Sequence, residues 1–261
     1  MKNNMLEKAL AVSTLDDLSV RTVSGYQRIY FGDEFCEELF PSAGDIRSVL
    51  RWCAGKGLAV SVVTPFCSEA RFDRICRAVT GMPAGVELVC NDPGLLARAG
   101  REPGRRGSLV LGRLMLRSKR DPRLGTLAAS EDVRRALAVS CLDDPAFQRL
   151  LLSYGVKRVE LDNSFQGYLF NLIPQLRAAL HWPYVYLTAT TECLFRPALR
   201  KTGCGRECRS GQLVSKIASA GVAIITSGKA EVYRNTRMPS SAQLQAWGVD
   251  RLVYAREKNI C

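Results

Sequence analysis

Short apolar runs alternate with amphipathic stretches along most of the chain. Eight of the runs read as strands: Gln27–Gly32, Leu58–Thr64, Val86–Cys90, Ser108–Gly112, Arg158–Asp162, Tyr184–Thr188, Val222–Thr226 and Arg251–Tyr254. Leu58–Thr64 is almost wholly apolar, as a strand buried on both faces should be. Between the strands the spacing turns helical. Ile46, Val49, Leu50 and Cys53 line one face of Asp45–Lys56, and Phe72, Ile75, Cys76 and Val79 line another behind Ser68 as N-cap. Helices are also predicted near Leu95–Ala99, behind the N-caps Ser130 and Asp144, across Leu172–Leu180, and over Leu213–Ala220 and Ser241–Trp247. Residues 1–24 read as a short amphipathic helix and a polar linker.

Eight strands alternating with helices over roughly 250 residues predict an α/β fold, a (β/α)8 TIM-like barrel forming a single domain over residues 25–261. An open doubly wound sheet shares the same local pattern and is the alternative. The 47% hydrophobic content is that of an ordinary globular chain, and no apolar run is long enough to span a membrane. Glu7 and Lys8 fall where an export signal would need its apolar core, so a cytoplasmic protein is expected.

Ten cysteines and a single histidine narrow the chemistry. Cys193, Cys204 and Cys208 fall in one turn-rich stretch with Pro197, Gly203 and Gly205, directly after a predicted strand. In a barrel, functional groups gather in the loops at the C-terminal ends of the strands. Cys36 follows the first predicted strand, so it shares that face and is the best candidate for a fourth thiolate. Cys67 and Cys90, also at strand ends, are the reserves. Cys53, Cys76 and Cys141 read as packing, and Cys261 as a terminal thiol. Four thiolates suit either a 4Fe–4S cluster or a structural zinc ion, and the spacing does not choose between them. Arg196, Arg200, Lys201, Arg206 and Arg209 offset the negative charge of such a site. His181 reads as a surface or capping residue, and no metalloprotease or serine-hydrolase motif is present.

The Phe31–Cys36 segment, Asn91-Asp92, the run 155–161 and Cys193…Cys204-x3-Cys208 together resemble the collagenase-like peptidase family U32, and within it the UbiV branch. The resemblance implies a barrel-type fold and a 4Fe–4S cluster on Cys36, Cys193, Cys204 and Cys208. It also implies a heterodimer with a second, UbiU-like protein of the same family. The implied activity is oxygen-independent hydroxylation of a ubiquinone-type ring or an RNA base, with prephenate as oxygen source. This favours the cluster over zinc. Two other readings stand beside it: a zinc-stapled RNA-binding module and a peptidase of the same family.

The net charge of +12 raises the expectation of an anionic partner. Arg101, Arg105, Arg106, Arg113, Arg117, Lys119, Arg120 and Arg123 surround the fourth predicted strand. Arg113 and Arg117, which follow it directly, are the candidate anion clamp for a dicarboxylate such as prephenate or for RNA phosphate. Few aromatic residues interleave the stretch, so base stacking is not indicated. Glu160 and Asp162 share one face of the fifth predicted strand and suit acid–base work or ion pairing, as do Asn91 and Asp92 after the third. Arg113, Arg117, Asn91 and Glu160 are therefore the candidate substrate-binding residues.

Overall fold

A computed structural model describes residues 6–83, 85–104, 108–126, 130–196, 203–217 and 221–256. Pro197, Arg105, Arg106, Arg200, Lys201 and Cys261 lie outside the described residues.

Eight parallel strands close into a barrel: β1 (Glu7–Val12), β2 (Arg28–Gly32), β3 (Ala59–Val63), β4 (Glu87–Cys90), β5 (Leu109–Leu111), β6 (Val156–Asp162), β7 (Arg177–Trp182) and, last in the chain, β12 (Val249–Tyr254). β12 lies between β7 and β1, and β1 pairs with β2 to complete the circuit. The flanking helices α1 (Val20–Val23), α2 (Ala43–Ala54), α3 (Glu69–Val79), α4 (Pro93–Ala99), α5 (Glu131–Leu137), α6 (Pro145–Ser153) and α7 (Ser241–Ala246) fall between strands. α2 starts with a reciprocal capping box between Ser42 and Asp45, so its orphan amides are satisfied where the apolar face begins. Its buried Ile46, Val49 and Cys53 join the main core between helices and barrel. No described helix is long and apolar enough to cross a membrane.

The barrel fold is the expected one, but two strands differ from the sequence reading. Glu7–Val12, read as part of a helix and linker, is β1; its Glu7 is accommodated because Arg28 and Arg251 reach it from neighbouring strands at 2.8 and 2.6 Å. Arg177–Trp182, read as the end of a helix, is β7, whose Ala178 and Ala179 are fully buried in the crowded wall. His181 accordingly lies inside a strand rather than at a surface junction. Conversely, two runs read as barrel strands belong elsewhere. β8 (Tyr184–Ala189) and β10 (Val222–Ser227) join β9 (Leu213–Ile217) and β11 (Ala230–Arg234) in a four-stranded antiparallel sheet of order β8-β11-β10-β9. Leu213–Ile217 is thus a strand where a helix was expected, because it pairs along its length with β10.

The barrel interior is layered, as such barrels require. At the N-terminal end of the strands Arg251, 1% exposed, bonds Glu7, Glu87 and the Tyr30 hydroxyl, with Arg28 and Ser61 completing the network. Above it Ala9, Tyr30, Val63, Val89, Val110, Ala179 and Val253 form an apolar layer. Glu160 and His181 are bonded to each other at 3.0 Å, with the His181 ring edge-on to Tyr30.

Candidate functional site

At the C-terminal end of β2 the chain makes a tight passage. Gly32 has φ +137, and a Cβ there would fall 2.2 Å from the Val63 carbonyl oxygen, so only glycine fits. Asp33 follows, buried, and its Oδ1 accepts the backbone N–H groups of Phe35 and Cys36 at 2.9 and 2.7 Å. This turn aims Cys36 at the edge of the mouth. Burial pushes the Asp33 carboxyl up to about 6, although the two amides work against that. Among the described residues its Oδ2 has no hydrogen-bond partner.

Cys36 packs with Cys208, Leu39 and Phe195 in a small apolar cluster. Burial, reinforced by Asp33, pushes its thiol up to about 12; the Glu38 and Leu39 amides and Lys229 work against that. Burial also raises the Cys208 thiol, and the nearby Cys193 and Cys204 add to the rise. Of the four cysteines singled out in the sequence, Cys36 and Cys208 thus share one cluster, and Cys193 and Cys204 lie within electrostatic reach of Cys208. Cys204 is exposed, and its Sγ receives the Arg206 N–H at 3.4 Å. Arg206 adopts φ 60, the one left-handed non-glycine residue among the described residues. Among the described residues no three His, Cys, Asp or Glu side chains form a group with the geometry to hold a metal ion as they stand. The donor chemistry suits a cluster: an all-sulfur set drawn from two loops, with Lys229 and Arg209 supplying positive charge nearby. Cys67 and Cys90 are buried apart from this set, Cys67 beside Asp92 and Cys76 and Cys90 in the main core.

The centre of the mouth is an ion-pair network. Arg113 forks onto Glu34 (Nε–Oε2 2.9 Å, Nη2–Oε1 2.5 Å) and donates from Nη1 to Asp162 Oδ1 at 2.8 Å and the Tyr184 carbonyl at 3.1 Å. Arg120 takes the other Asp162 oxygen at 2.6 Å and ties back to the carbonyls of Arg113 and Leu116. Burial opposes charge on Arg113, but Glu34 and Asp162 outweigh it and keep the guanidinium protonated. Burial likewise opposes charge on Asp162, yet Arg120 and Arg113 hold its carboxyl below the usual range. The two guanidinium groups lie over the stacked rings of Phe35 and Tyr186.

The four expected substrate-binding residues are dispersed by this arrangement. Arg113 stands at the mouth with its donors committed to Glu34, Asp162 and Tyr184. Arg117 is exposed, and its carbonyl accepts the Cys141 N–H. Glu160 is fully buried within the barrel against His181. Asn91 lines the mouth, but its amide bridges the Thr64 carbonyl and the Leu114 N–H. What the sequence reading missed is the cavity itself, about 510 Å³, walled by Phe35, Phe66, Leu114, Met115 and Tyr186, with Lys229 at its edge. Lys229 reaches it from the β10–β11 turn, in a sheet that the strand pattern had merged with the barrel.

No family model matches the chain, and no curated protein matches it. Two solved structures are similar in shape. The U32 peptidase Mk0906 aligns over 98% of this chain and 95% of its own, at 11% identity and a TM-score of 0.48. A glycoside hydrolase family 18 N-acetylglucosaminidase from Paenibacillus barengoltzii aligns over 95% and 94%, at 10% identity and a TM-score of 0.36. Neither score is high enough to carry an argument about activity.

Proposed function

We propose that this chain is an iron–sulfur protein of an oxygen-independent hydroxylation system, with Cys36, Cys193, Cys204 and Cys208 holding a 4Fe–4S cluster beside the barrel mouth. The observation that carries the reading is the meeting of Cys36, from the β2 loop, with Cys208, from the loop between β8 and β9, within reach of Cys193 and Cys204. A single tetrahedral ion draws every sulfur to about 2.3 Å from one centre. A cluster distributes its thiolates around several irons and accepts a wider set. When bound, it supplies one-electron transfer. The protein's part is to bury Cys36 and Cys208, give an N–H to the Cys204 sulfur, and keep basic groups near the thiolates. By the resemblance in its sequence, the chain works with a second, UbiU-like member of family U32 on an aromatic ring or an RNA base. The nine described cysteines are all free, in keeping with a reducing, cytoplasmic setting.

Anaerobic purification followed by metal analysis tests this. About four iron and four sulfide per chain, with a brown chromophore, is expected, and Cys36→Ala or Cys208→Ala should abolish both. A colourless protein with stoichiometric zinc overturns the cluster. Co-purifying nucleic acid that is stripped steeply by salt would instead support the RNA-binding module.

A further inference from the structure

The mouth cavity has the size and lining of a small-molecule site, a few hundred Å³ of mostly apolar wall with few polar groups. Phe35 and Tyr186 form one rigid side, held from behind by Arg113 and Arg120. Phe66, 59% exposed, and Met115 form the rest of the apolar lining with Leu114 and Pro93. The polar groups are mostly committed. Asn91 spans two backbone groups, Glu37 accepts the Ser68 N–H, and the Thr190 hydroxyl donates to the Glu192 and Lys229 carbonyls. Lys229 is different: its carbonyl is used by Thr190, but among the described residues its ammonium has no ion-pair or hydrogen-bond partner. Lys229 is thus a half-buried cation lining a mostly apolar cavity, with no carboxylate paired to it among the described residues.

We propose that this cavity binds a small monoanionic ligand with a flat apolar body, and that Lys229 receives its anionic group while Phe35, Phe66, Met115 and Tyr186 take the body. The inference shares with the proposed function the mouth as working face, and does not depend on the cysteines holding a cluster. Of the arginine clamp expected from the sequence, Arg113 is held by Glu34 and Asp162 and Arg117 is exposed, whereas Lys229 is the cation that lines this cavity.

The test compares phenylacetate with phenylacetamide, an uncharged molecule of nearly the same shape, by ligand-observed NMR titration of the full chain. Phenylacetate should bind about tenfold more tightly than the amide, as a charge-assisted contact in a half-buried site implies. Lys229→Met should reduce phenylacetate to the affinity of the amide, and Lys229→Arg should keep the preference. Phe66→Ala should weaken both probes. Equal affinities in the wild type, a preference that survives Lys229→Met, or no saturable binding of either probe overturns the inference. A thermal melt of each variant confirms folding. Lys229 also lies near Cys36, so iron is measured in the same samples. If Lys229→Met lowers iron content and leaves the ligand preference intact, the lysine serves the thiolates and the inference fails. Ligand preference in a protein without iron upholds the inference and removes the cluster.

Discussion

Replacing Arg113 by Met tests whether the mouth is built around a buried ion-pair network. The substitution keeps most of the stem and removes four hydrogen bonds, two to Glu34, one to Asp162 and one to the Tyr184 carbonyl. Asp162 would keep Arg120 at 2.6 Å and the Tyr186 N–H at 3.0 Å. Glu34, whose side chain is 12% exposed, would keep no paired cation among the described residues. Removing one partner of a buried pair costs about 3–5 kcal/mol. The retained Arg120 contact places this case near the lower end, about 3 kcal/mol. For a chain of this length that is a fall in Tm of roughly 6–12 °C, and in urea a lower midpoint with an unchanged slope. Glu34→Gln alone should cost less, since Arg113 still holds Asp162. The double variant should cost less than the sum of the two, with about 1–2 kcal/mol of coupling, because the charge stranded by the first change is gone. A loss below about 1 kcal/mol for Arg113→Met, or strictly additive losses, would show that the network contributes nothing beyond its surface equivalent.

Three further outcomes are expected. A Cβ at Gly112 would lie 2.1 Å from Asn91 Oδ1, so Gly112→Ala should cost about 1–3 kcal/mol in urea unfolding; Asn91→Ala should relieve part of the loss, and an unchanged midpoint in Gly112→Ala refutes the contact. Burial opposes ionisation of Glu87, but Arg251 and Arg28 outweigh it and bring its carboxyl from 4.5 to about 2. Its stabilisation is therefore complete above 4.5 and lost as the pH falls from there towards about 2, so acid titration of stability should be steeper in the wild type than in Glu87→Gln, and parallel curves would contradict the assignment. Arg206 is exposed and left-handed, so Arg206→Gly should raise stability by about 1 kcal/mol and Arg206→Val should lower it; the opposite order in thermal melts would reject strain at that position.

Eight strands were read and eight form the barrel, but two cancelling differences lie behind that match, and β9 and β11 of the side sheet were not read as strands. Tyr184–Ala189 and Val222–Ser227 carry a strong strand signal because they are strands; nothing local says which sheet they join. Glu7–Val12 and Arg177–Trp182 carry a weak one. Glu7 at the head of β1 breaks the apolar pattern, and it is accommodated by arginines on β2 and β12. Ala178, Ala179 and Leu180 read equally well as a helix, and only the crowded interior of a closed barrel favours small residues there. Strands with their own apolar alternation were visible, whereas strands defined by distant partners were not.

The cysteines were legible for a related reason. Thiols close together in one loop stay together wherever that loop is carried, so Cys208 still shares a cluster with Cys36 after the reassignment of β8 from the barrel to the side sheet. Charged residues behave differently, because their role depends on what faces them across the barrel. Arg113 sits at the strand end where it was expected, yet the carboxylates at the corresponding ends of β2 and β6 claim it. Two guanidiniums against Glu34 and Asp162 balance locally, which makes those two arginines of the basic stretch structural. Lys229 stands on a hairpin turn, where no run of charge draws the eye, and among the described residues its ammonium has no ion-pair or hydrogen-bond partner. For an anionic ligand at a barrel mouth, the informative quantity is thus the cation left after neighbouring strand ends are paired, which requires the strand order and cannot be had from composition.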